Sequence, residues 1–375
     1  MKYTNIFTFF RFLFILIILD FIITFFIFSK LDLVDIFYPN KDHRVSNQFY
    51  HHSFKANVDT YDVWGKYKYK FITNSLGFKD KKNRDIYKKT KLNKRILING
   101  DSFVEGIGFK YEDTFVGLLD KYLEKKEIEI LNAGVASQSP ILYYKKIFHL
   151  LEEKKIKFDE LILFLDISDI PDEYYYSKNY TNNEIPKKHI RDKLQDFLIH
   201  NSTIYLFFDV LFSNLKSLKN YIITKENAAN FYNKSISEIT PNDIDIYKSI
   251  HVKRGNWTHD IKLWEKYGLK GRELSEKYLH KLNLLLKKHK IKFSLVIYPW
   301  PKQIYIQNQL ELHSIFWEKW SKENEVNFIN LFKDFKITNR DKVINQYFIP
   351  GDVHWNKEGH NYIYELIIKY YFNDN

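Results

Sequence analysis

The sequence predicts an α/β protein with a five-stranded parallel sheet between two layers of helices. Short, almost continuous aliphatic runs alternate with longer segments in which apolar residues recur every three or four positions. The aliphatic runs do not alternate with polar residues, so we expect strands that are buried on both faces. A long apolar segment at the N-terminus and a break in the pattern further on add a transmembrane helix and a mostly helical insertion.

Each predicted strand ends in a turn or a polar cluster, and most are followed by a helical pattern. The first strand stops at Asn99-Gly100, and the fourth is closed by Pro299-Trp300-Pro301. The strands are predicted at 96–98, 128–132, 160–165, 293–298 and 326–331. The helices of this core are predicted at 112–123, 141–153, 272–288 and 362–371.

The first thirty residues predict a membrane anchor. Residues 12–29 contain one charge, Asp20, and together with Ile6 to Phe10 they reach the roughly 20 residues needed to span a bilayer. No small-x-small cleavage site follows at 29–32, which favours an uncleaved anchor over a signal peptide. Basic residues lie on both sides of the span, so they leave its orientation open. Asp20 predicts a partner within the membrane, because an unpaired carboxylate is costly in lipid.

The composition excludes several classes of protein. The chain of 375 residues has no cysteine, which excludes disulfides and cysteine-based zinc sites. Its net charge of +12 comes from lysines spread along the sequence, often beside acidic residues, and no nucleic-acid motif accompanies them. We therefore predict no nucleic-acid partner, although a basic domain beside a membrane can rest on anionic head groups.

Three regions are expected along the chain. Residues 1–30 form the anchor, residues 31–93 an N-terminal extension with weak periodicity, and residues 94–375 the main domain. The strand-helix alternation breaks at about 171–270, where tyrosines, Asn-rich turns and an apolar helical stretch replace it. We interpret this insertion as a cap beside the functional site, with a surface that rests on the membrane as the alternative.

Candidate catalytic residues lie near both ends of the main domain. Ser102 follows the first strand at its carboxyl end, where open α/β sheets bind ligands, so it is a candidate nucleophile. Asp101 and Ser102 would equally suit a turn and helix cap. Serine hydrolysis also needs a base and an acid that orients it. Asp352 and His354 are two positions apart, so on extended backbone their side chains point the same way. A structural loop histidine is the alternative.

Together these residues resemble the motifs of the SGNH, or GDSL-type, hydrolase family. Gly100-Asp101-Ser102-Phe103 resembles its first block, Gly134 the glycine of its second, and Asp352 with His354 its last. The resemblance runs from about residue 74 to the C-terminus, apart from the insertion, and is closest to membrane-anchored proteins of bacterial envelopes. It implies a flavodoxin-like α/β/α fold and a triad in which His354 is the base and Asp352 orients it. The backbone N–H groups of Ser102 and Gly134 would bind the oxyanion.

Two positions depart from the family pattern. The third block usually reads Gly-x-Asn-Asp, whereas Asp166 and Ser168 stand here at the glycine and asparagine positions. The Ser168 hydroxyl would be a weaker oxyanion donor than the amide, and a charged Asp169 would oppose a developing oxyanion. The second departure is Asp-Val-His in place of Asp-x-x-His. Alginate-type O-acetyltransferases of the same fold share this spacing, which favours acyl transfer slightly.

The resemblance implies a membrane-anchored serine esterase or O-acyltransferase that acts on ester groups, chiefly O-acetyl groups, of an envelope glycan. We expect the catalytic domain outside the cytoplasm, in the periplasm. No metal or other cofactor is expected. Asp101, Trp300 and Trp355 are candidate substrate-binding residues, because tryptophans at strand ends can stack on sugars, although both could equally be core residues.

The sequence leaves two other functions open. A non-catalytic glycan-binding or scaffolding protein would keep the fold and lose the chemistry, and the altered third block leaves that open. Metal-dependent hydrolysis is less favoured, since neither His51-His52 nor His354 and His360 come with the usual supporting carboxylates.

Overall fold

The computed structural model describes residues 2–28, 41–179, 190–306, 311–335 and 339–372. The strands are β1 (Arg44–Asn47), β2 (His51–Phe54), β3 (Asp59–Trp64), β4 (Tyr67–Ile72), β5 (Lys94–Asn99), β6 (Ile128–Asn132), β7 (Glu160–Leu165), β8 (Lys292–Ile297) and β9 (Asn327–Asn330).

The helices fall between the strands of the core and in the insertion. They are α1 (Lys2–Phe28), α2 (Ser102–Glu105), α3 (Phe115–Glu124), α4 (Pro140–Phe148), α5 (Asp169–Asn179), α6 (Ile190–Asn201), α7 (Thr203–Tyr232), α8 (Pro241–Ile250), α9 (Ile261–Leu263), α10 (Leu269–Lys288), α11 (Pro301–Tyr305), α12 (Glu311–Glu323), α13 (Arg340–Tyr347) and α14 (Lys357–Ile367).

The predicted five-stranded parallel sheet is confirmed. Its strands lie in the order β6-β5-β7-β8-β9, and every neighbouring pair is parallel. All residues of the central strand β7 are buried, so helices and loops cover both of its faces. This order brings the carboxyl ends of the neighbouring strands β5 and β7 side by side. The loops that follow these two strands therefore lie together at the carboxyl-terminal end of the sheet.

The last helix begins earlier than the sequence pattern predicted. Helix α14 starts at Lys357 rather than at 362, because the Asn356 side chain accepts the Gly359 N–H at 2.8 Å and caps it. The apolar periodicity alone predicted a start at 362, because the first turn of this helix is mostly polar and carries no apolar pattern. His354 consequently lies in the short loop directly before a helix.

The chain divides into two compact units. The first consists of Met1–Lys41 and Pro186–Ile239, and the second of Asp42–Ile185 and Thr240–Asn375. Within the first unit, residues 7–26 of α1 are long and apolar enough to cross a membrane, with a mean hydropathy of 2.5. This fits a membrane anchor and equally a signal sequence. The segment 29–32, used above to judge cleavage, lies outside the described residues.

The N-terminal extension folds into two antiparallel hairpins, β1-β2 and β3-β4, within the second unit. Lys79 of the extension is fully buried, and its Nζ donates to the carbonyl oxygens of Gly106 and Phe109 at 2.9 and 2.6 Å. Burial lowers the pKa of Lys79 to about 7. This lysine therefore ties the extension to the segment after α2.

We expect Gly77→Ala to destabilise the protein more than Gly65→Ala. Both glycines have positive φ, +73° and +55°, so an alanine at either costs about 1 kcal/mol or more in backbone strain. A Cβ at Gly77 would lie 2.4 Å from the Phe54 carbonyl oxygen, whereas nothing lies within 4 Å of one at Gly65. Overpacking should cost Gly77→Ala about 1–3 kcal/mol more in unfolding free energy, measured by urea denaturation. Equal losses would contradict the close contact between β2 and the turn at Gly77.

Candidate active site

Ser102 is held at the carboxyl end of β5 by a tight turn. Gly100 has no room for a side chain, since a Cβ there would lie 2.5 Å from Val104 Cγ2. Asp101 is the N-cap of α2, and its Oδ1 accepts the Phe103 N–H at 3.1 Å. Ser102 is the first residue of that helix and retains 8% of its surface exposed. The hydroxyl is therefore fixed in position but reachable.

The loop between α13 and α14 brings His354 to this hydroxyl. The Ile349 N–H donates to the His354 carbonyl oxygen at 2.9 Å, which fixes the backbone of the loop. His354 Nε2 lies 2.8 Å from Ser102 Oγ, and its Nδ1 lies 2.6 Å from Asp352 Oδ1. The structure thus brings the three predicted triad residues together in one hydrogen-bonded chain, although 252 positions separate the serine from the histidine.

A fourth residue, Trp64, completes the contacts of Asp352. Its indole Nε1 donates to Asp352 Oδ2 at 2.7 Å, and its ring meets the His354 imidazole edge-to-face at 5.2 Å. The Val353 N–H donates to the other oxygen, Oδ1, at 2.6 Å. Sequence analysis missed Trp64 because it ends β3 in the extension. The available signal was that Trp64 is the one tryptophan between residues 31 and 93 and precedes Gly65.

The charges around the triad favour a protonated imidazole and an ionised Asp352. Burial alone would raise the pKa of Asp352, but hydrogen bonds from His354 and Trp64 and the charge of His354 lower it to about 2. Burial likewise opposes protonation of His354, but the hydrogen bond and charge of Asp352, with the charges of Asp101 and Asp166, together raise the pKa of the imidazole. This arrangement suits a base that takes a proton from Ser102 and holds it.

Further acidic side chains lie behind the nucleophile. Burial, and then repulsion from Asp166, raise the pKa of Asp101 to about 8. Burial and the neighbouring Asp101 and Asp166 also raise the pKa of Asp169 well above its usual range. Ser102 Oγ lies 3.1 Å from Asp101 Oδ2. With Asp101 protonated, its hydroxyl can donate to Ser102, which leaves the serine proton for His354.

Two of the three predicted oxyanion donors already have other acceptors. The Gly134 N–H donates to Asn132 Oδ1 at 3.0 Å, and the Ser168 hydroxyl donates to Asp166 Oδ2 at 2.5 Å. The role of Gly134 and Ser168 as oxyanion donors stays a prediction, and it requires both to leave these acceptors. The reason for the Ser168 contact is the length of its side chain, which turns back to the carboxylate two residues earlier, where a glycine stands in the family pattern.

The structure corrects the predicted substrate contacts. Trp355 is fully buried against Phe103, Phe115 and Tyr298, and Trp300 is 3% exposed. Neither tryptophan offers a face to a sugar, so both are core residues. Asp101 is 2% exposed, and its contacts are those of a helix cap beside Ser102. Trp300 follows the end of β8 closely, whereas Trp355 lies in the loop between α13 and α14 and not at a strand end. Both side chains are buried.

The histidines that sequence analysis considered as metal ligands outside the triad, His51, His52 and His360, have protein partners. Within the described residues no group of three or more potential metal ligands lies close together. His52 Nε2 lies 2.8 Å from the Ala136 carbonyl oxygen, and His51 Nδ1 lies 2.7 Å from His52 Nδ1. His360 Nδ1 accepts the Phe115 N–H at 3.3 Å.

Comparison with known proteins gives matches among solved structures only. No protein-family model and no curated protein matches the sequence. An acetyl xylan esterase is 14% identical with a TM-score of 0.38, and the match covers 73% of this chain and 98% of that one. An acetylxylan esterase from Geobacillus stearothermophilus is 11% identical with a TM-score of 0.38, covering 75% and 95%. A GDSL-like lipase from Bacteroides thetaiotaomicron is 12% identical with a TM-score of 0.33, covering 74% and 86%. At this similarity the chemistry of the site rests on the chain's own residues.

We expect Trp300→Phe to lower stability more than Trp355→Phe. Trp300 Nε1 donates to Asp166 Oδ1 at 2.6 Å, whereas Trp355 Nε1 has no hydrogen-bond partner in the described part of the chain. Both changes remove the same atoms from the core, but only the first deprives a buried carboxylate of a donor. The difference should be about 2 kcal/mol in the free energy of unfolding, measured by chemical denaturation. A larger loss for Trp355→Phe would contradict this assignment.

Proposed function

We propose that this chain is a serine esterase or O-acyltransferase of the SGNH family. The observation that carries the proposal is the hydrogen-bonded chain from Ser102 through His354 to Asp352, at the carboxyl end of a central strand. Nucleophile, base and orienting acid are each within hydrogen-bond distance of the next, as acyl transfer through serine requires. The sequence blocks at Gly100 and Asp352 support the same family.

The proposed reaction has two steps that the triad performs in turn. Ser102 Oγ attacks the ester carbonyl carbon, and its proton passes to His354 Nε2 as the new C–O bond forms. The tetrahedral intermediate then expels the alcohol, which takes that proton from His354, and leaves an acyl-serine. Water or the hydroxyl of an acceptor attacks the acyl-serine with His354 again as the base, which frees the enzyme. Asp352 keeps the imidazole oriented throughout.

Oxyanion stabilisation in the proposed reaction depends first on one backbone donor. The Ser102 backbone N–H is the donor we propose, while Gly134 and Ser168 would first have to release Asn132 and Asp166. Loss of one oxyanion donor can cost about a hundredfold in rate. The same observation favours the second candidate function, a non-catalytic glycan-binding or scaffolding protein that retains the fold.

The substrate and location follow from the sequence resemblance and the anchor. We propose that α1 inserts in the membrane and holds the catalytic unit outside the cytoplasm, in the periplasm. The substrate class is an ester, chiefly an O-acetyl group, on an envelope glycan. Support comes from the motifs shared with membrane-anchored envelope proteins and from the apolar residues 7–26.

Full-length protein in detergent should release p-nitrophenol from p-nitrophenyl acetate in a burst equal to the enzyme concentration. Ser102→Ala should abolish the burst because the nucleophile is lost. His354→Ala should lower the rate constant of the burst at least a thousandfold because the base is lost. Stopped-flow absorbance measures both. Ser217→Ala, an exposed serine on α7, is the matched control and should keep the burst.

A different outcome would favour the binding function. If the folded wild type and all variants are inert, and a fluorophosphonate probe fails to label Ser102, the catalytic proposal is wrong. Labelling of Ser102 without turnover of p-nitrophenyl acetate would instead show a competent nucleophile, and would point to a narrower ester specificity.

We also propose that Trp64 positions Asp352 for catalysis. Trp64→Phe keeps an aromatic ring beside His354 but removes the donor to Asp352 Oδ2. We expect kcat to fall about tenfold, equivalent to about 1.4 kcal/mol, with KM unchanged. The enzyme needs neutral His354, so activity should rise with pH through a pKa above 6.5 in both proteins. Asp352→Asn should move this rise to lower pH, because the charge that raises the pKa is lost.

The control for Trp64 lies on the same hairpin. Tyr61 of β3 is 53% exposed, so Tyr61→Phe should leave kcat and the pH profile unchanged. If Trp64→Phe changes KM alone, Trp64 contacts substrate and does not orient Asp352. If it changes neither parameter, the hydrogen bond has no part in catalysis.

A further inference from the structure

The start of helix α7 is capped by side chains of helix α1. The Thr203 N–H donates to Thr24 Oγ1 at 2.9 Å, and the Ile204 N–H donates to Asp20 Oδ1 at 3.0 Å. The hydroxyl of Ser202, the N-cap residue, also donates to Asp20 Oδ2. The sequence predicted a partner for Asp20, and the structure supplies one within the same chain.

This capping leaves no need for water at the first turn of α7. The Tyr205 N–H donates to Ser202 Oγ at 2.9 Å, and the Leu206 N–H bonds the Ser202 carbonyl oxygen at 3.0 Å. The N–H groups of Thr203 and Ile204 donate to side chains of α1, so the first four N–H groups of α7 all have acceptors. A helix end in water has its free N–H groups hydrated, whereas one in lipid must satisfy them internally. The arrangement suits a helix that begins in a water-poor region.

The position of the two capping residues along α1 sets the depth of that start. Thr24 and Asp20 lie two and six residues before Phe26, the end of the apolar segment. At 1.5 Å per residue these spacings are about 3 and 9 Å along the helix axis. Amphipathic helices that lie in a membrane surface bury their apolar faces about 5–10 Å deep. The start of α7 is therefore at the depth of an interfacial helix.

Helix α7 carries an exposed apolar stripe. Its members recur at alternating intervals of four and three residues, which places them on one face of the helix. Each is at least 39% exposed. The stripe consists of Ile204, Phe208, Leu211, Leu215, Leu218 and Ile222, and Phe207 and Phe212 widen it.

The rest of the helix shows that α7 does not run alongside α1. Residues 211–223 are all exposed, including the polar Ser213, Lys216 and Asn220 on the side opposite the stripe. The contact with α1 is thus made at the first turn. Lys216 and Asp209 also make α7 too polar for a second span.

We propose that α7 lies in the membrane interface, with its apolar stripe in the acyl layer of the bilayer that α1 crosses. The occupant of the stripe is therefore phospholipid. The inference rests on the proposed anchor, but not on the proposed catalysis. Three observations carry it: the capping of the first turn by side chains of α1, the depth of that cap along α1, and an exposed apolar stripe from Ile204 to Ile222 along the first two thirds of the helix. Lys216 and Lys219 would reach the head groups.

Spin labels can test this placement directly, because the chain has no cysteine of its own. Single cysteines at Phe208, Leu215 and Ile222 would label the stripe, and those at Ser213 and Asn220 the opposite side. Full-length protein is reconstituted in vesicles of phosphatidylethanolamine and phosphatidylglycerol. We expect the stripe labels to collide with oxygen and to be shielded from a nickel chelate, and the opposite labels to behave in the reverse way.

Other results would overturn the proposal in distinguishable ways. Equal access of the nickel chelate to all five positions would place α7 in water. Spin-spin broadening at Leu215 would show a second copy of the chain on the stripe instead of lipid. A label at Leu16 of α1 tests the anchor itself. Aqueous exposure of that label would contradict the proposed anchor and, with it, the proposed placement of α7. Esterase activity is measured on the same samples, so a failure of the catalytic proposal is recognised separately.

The cap is tested with Asp20→Ala. This change leaves the Ile204 N–H and the Ser202 hydroxyl without their acceptor, so the first turn should move towards water. The label at Phe208 should then gain at least twofold in access to the nickel chelate. Ile17→Ala, an exposed position of the same helix, should leave that access unchanged. An unchanged label in Asp20→Ala would show that Asp20 does not set the depth of α7.

Discussion

The candidate site depends on the hydrogen bonds that hold one carboxylate. Asp352 receives His354 Nδ1 and the Val353 N–H on one oxygen and the Trp64 indole on the other. Trp64 lies near the start of the second unit in sequence, and Val353 and His354 lie near its end. The carboxylate of Asp352 therefore joins the β3-β4 hairpin to the loop before α14. Through His354 the same contact reaches Ser102. The orientation of the proposed base is therefore fixed by the N-terminal extension as well as by the sheet.

Negative charge behind the nucleophile distinguishes this site from one built on a Gly-x-Asn-Asp block. Asp166 accepts hydrogen bonds from Ser168 and Trp300, and its charge helps to raise the pKa of Asp101 to about 8. A protonated Asp101 adds no charge next to a developing oxyanion. If every aspartate were ionised, the sequence would predict strong repulsion of a developing oxyanion. Burial of Asp101 favours its neutral form and so removes part of that repulsion.

The core strands could be predicted because buried parallel strands are continuous aliphatic runs, as 160–165 shows. Ser102, Asp352 and His354 were found because turn, cap and loop residues keep fixed places at strand and helix ends. The hairpins at 44–72 were not found, since their burial follows tertiary contacts and not a period of two. The inward orientations of Trp300 and Trp355 depend on Asp166 and Phe103, which are far away in sequence. The Gly134 N–H is occupied by a near neighbour, Asn132, but no periodicity of the sequence reports such a local hydrogen bond.

The bond between Trp64 and Asp352 joins residues 288 positions apart, which has a consequence for biosynthesis. The hairpin with Trp64 is synthesised early, whereas its acceptor Asp352 is added to the chain 288 residues later. A nascent or truncated chain lacks both the base and the bond that orients it. Closing so long a loop is also slow. A chain whose synthesis has not yet passed His354 would therefore lack the aligned imidazole beside Ser102.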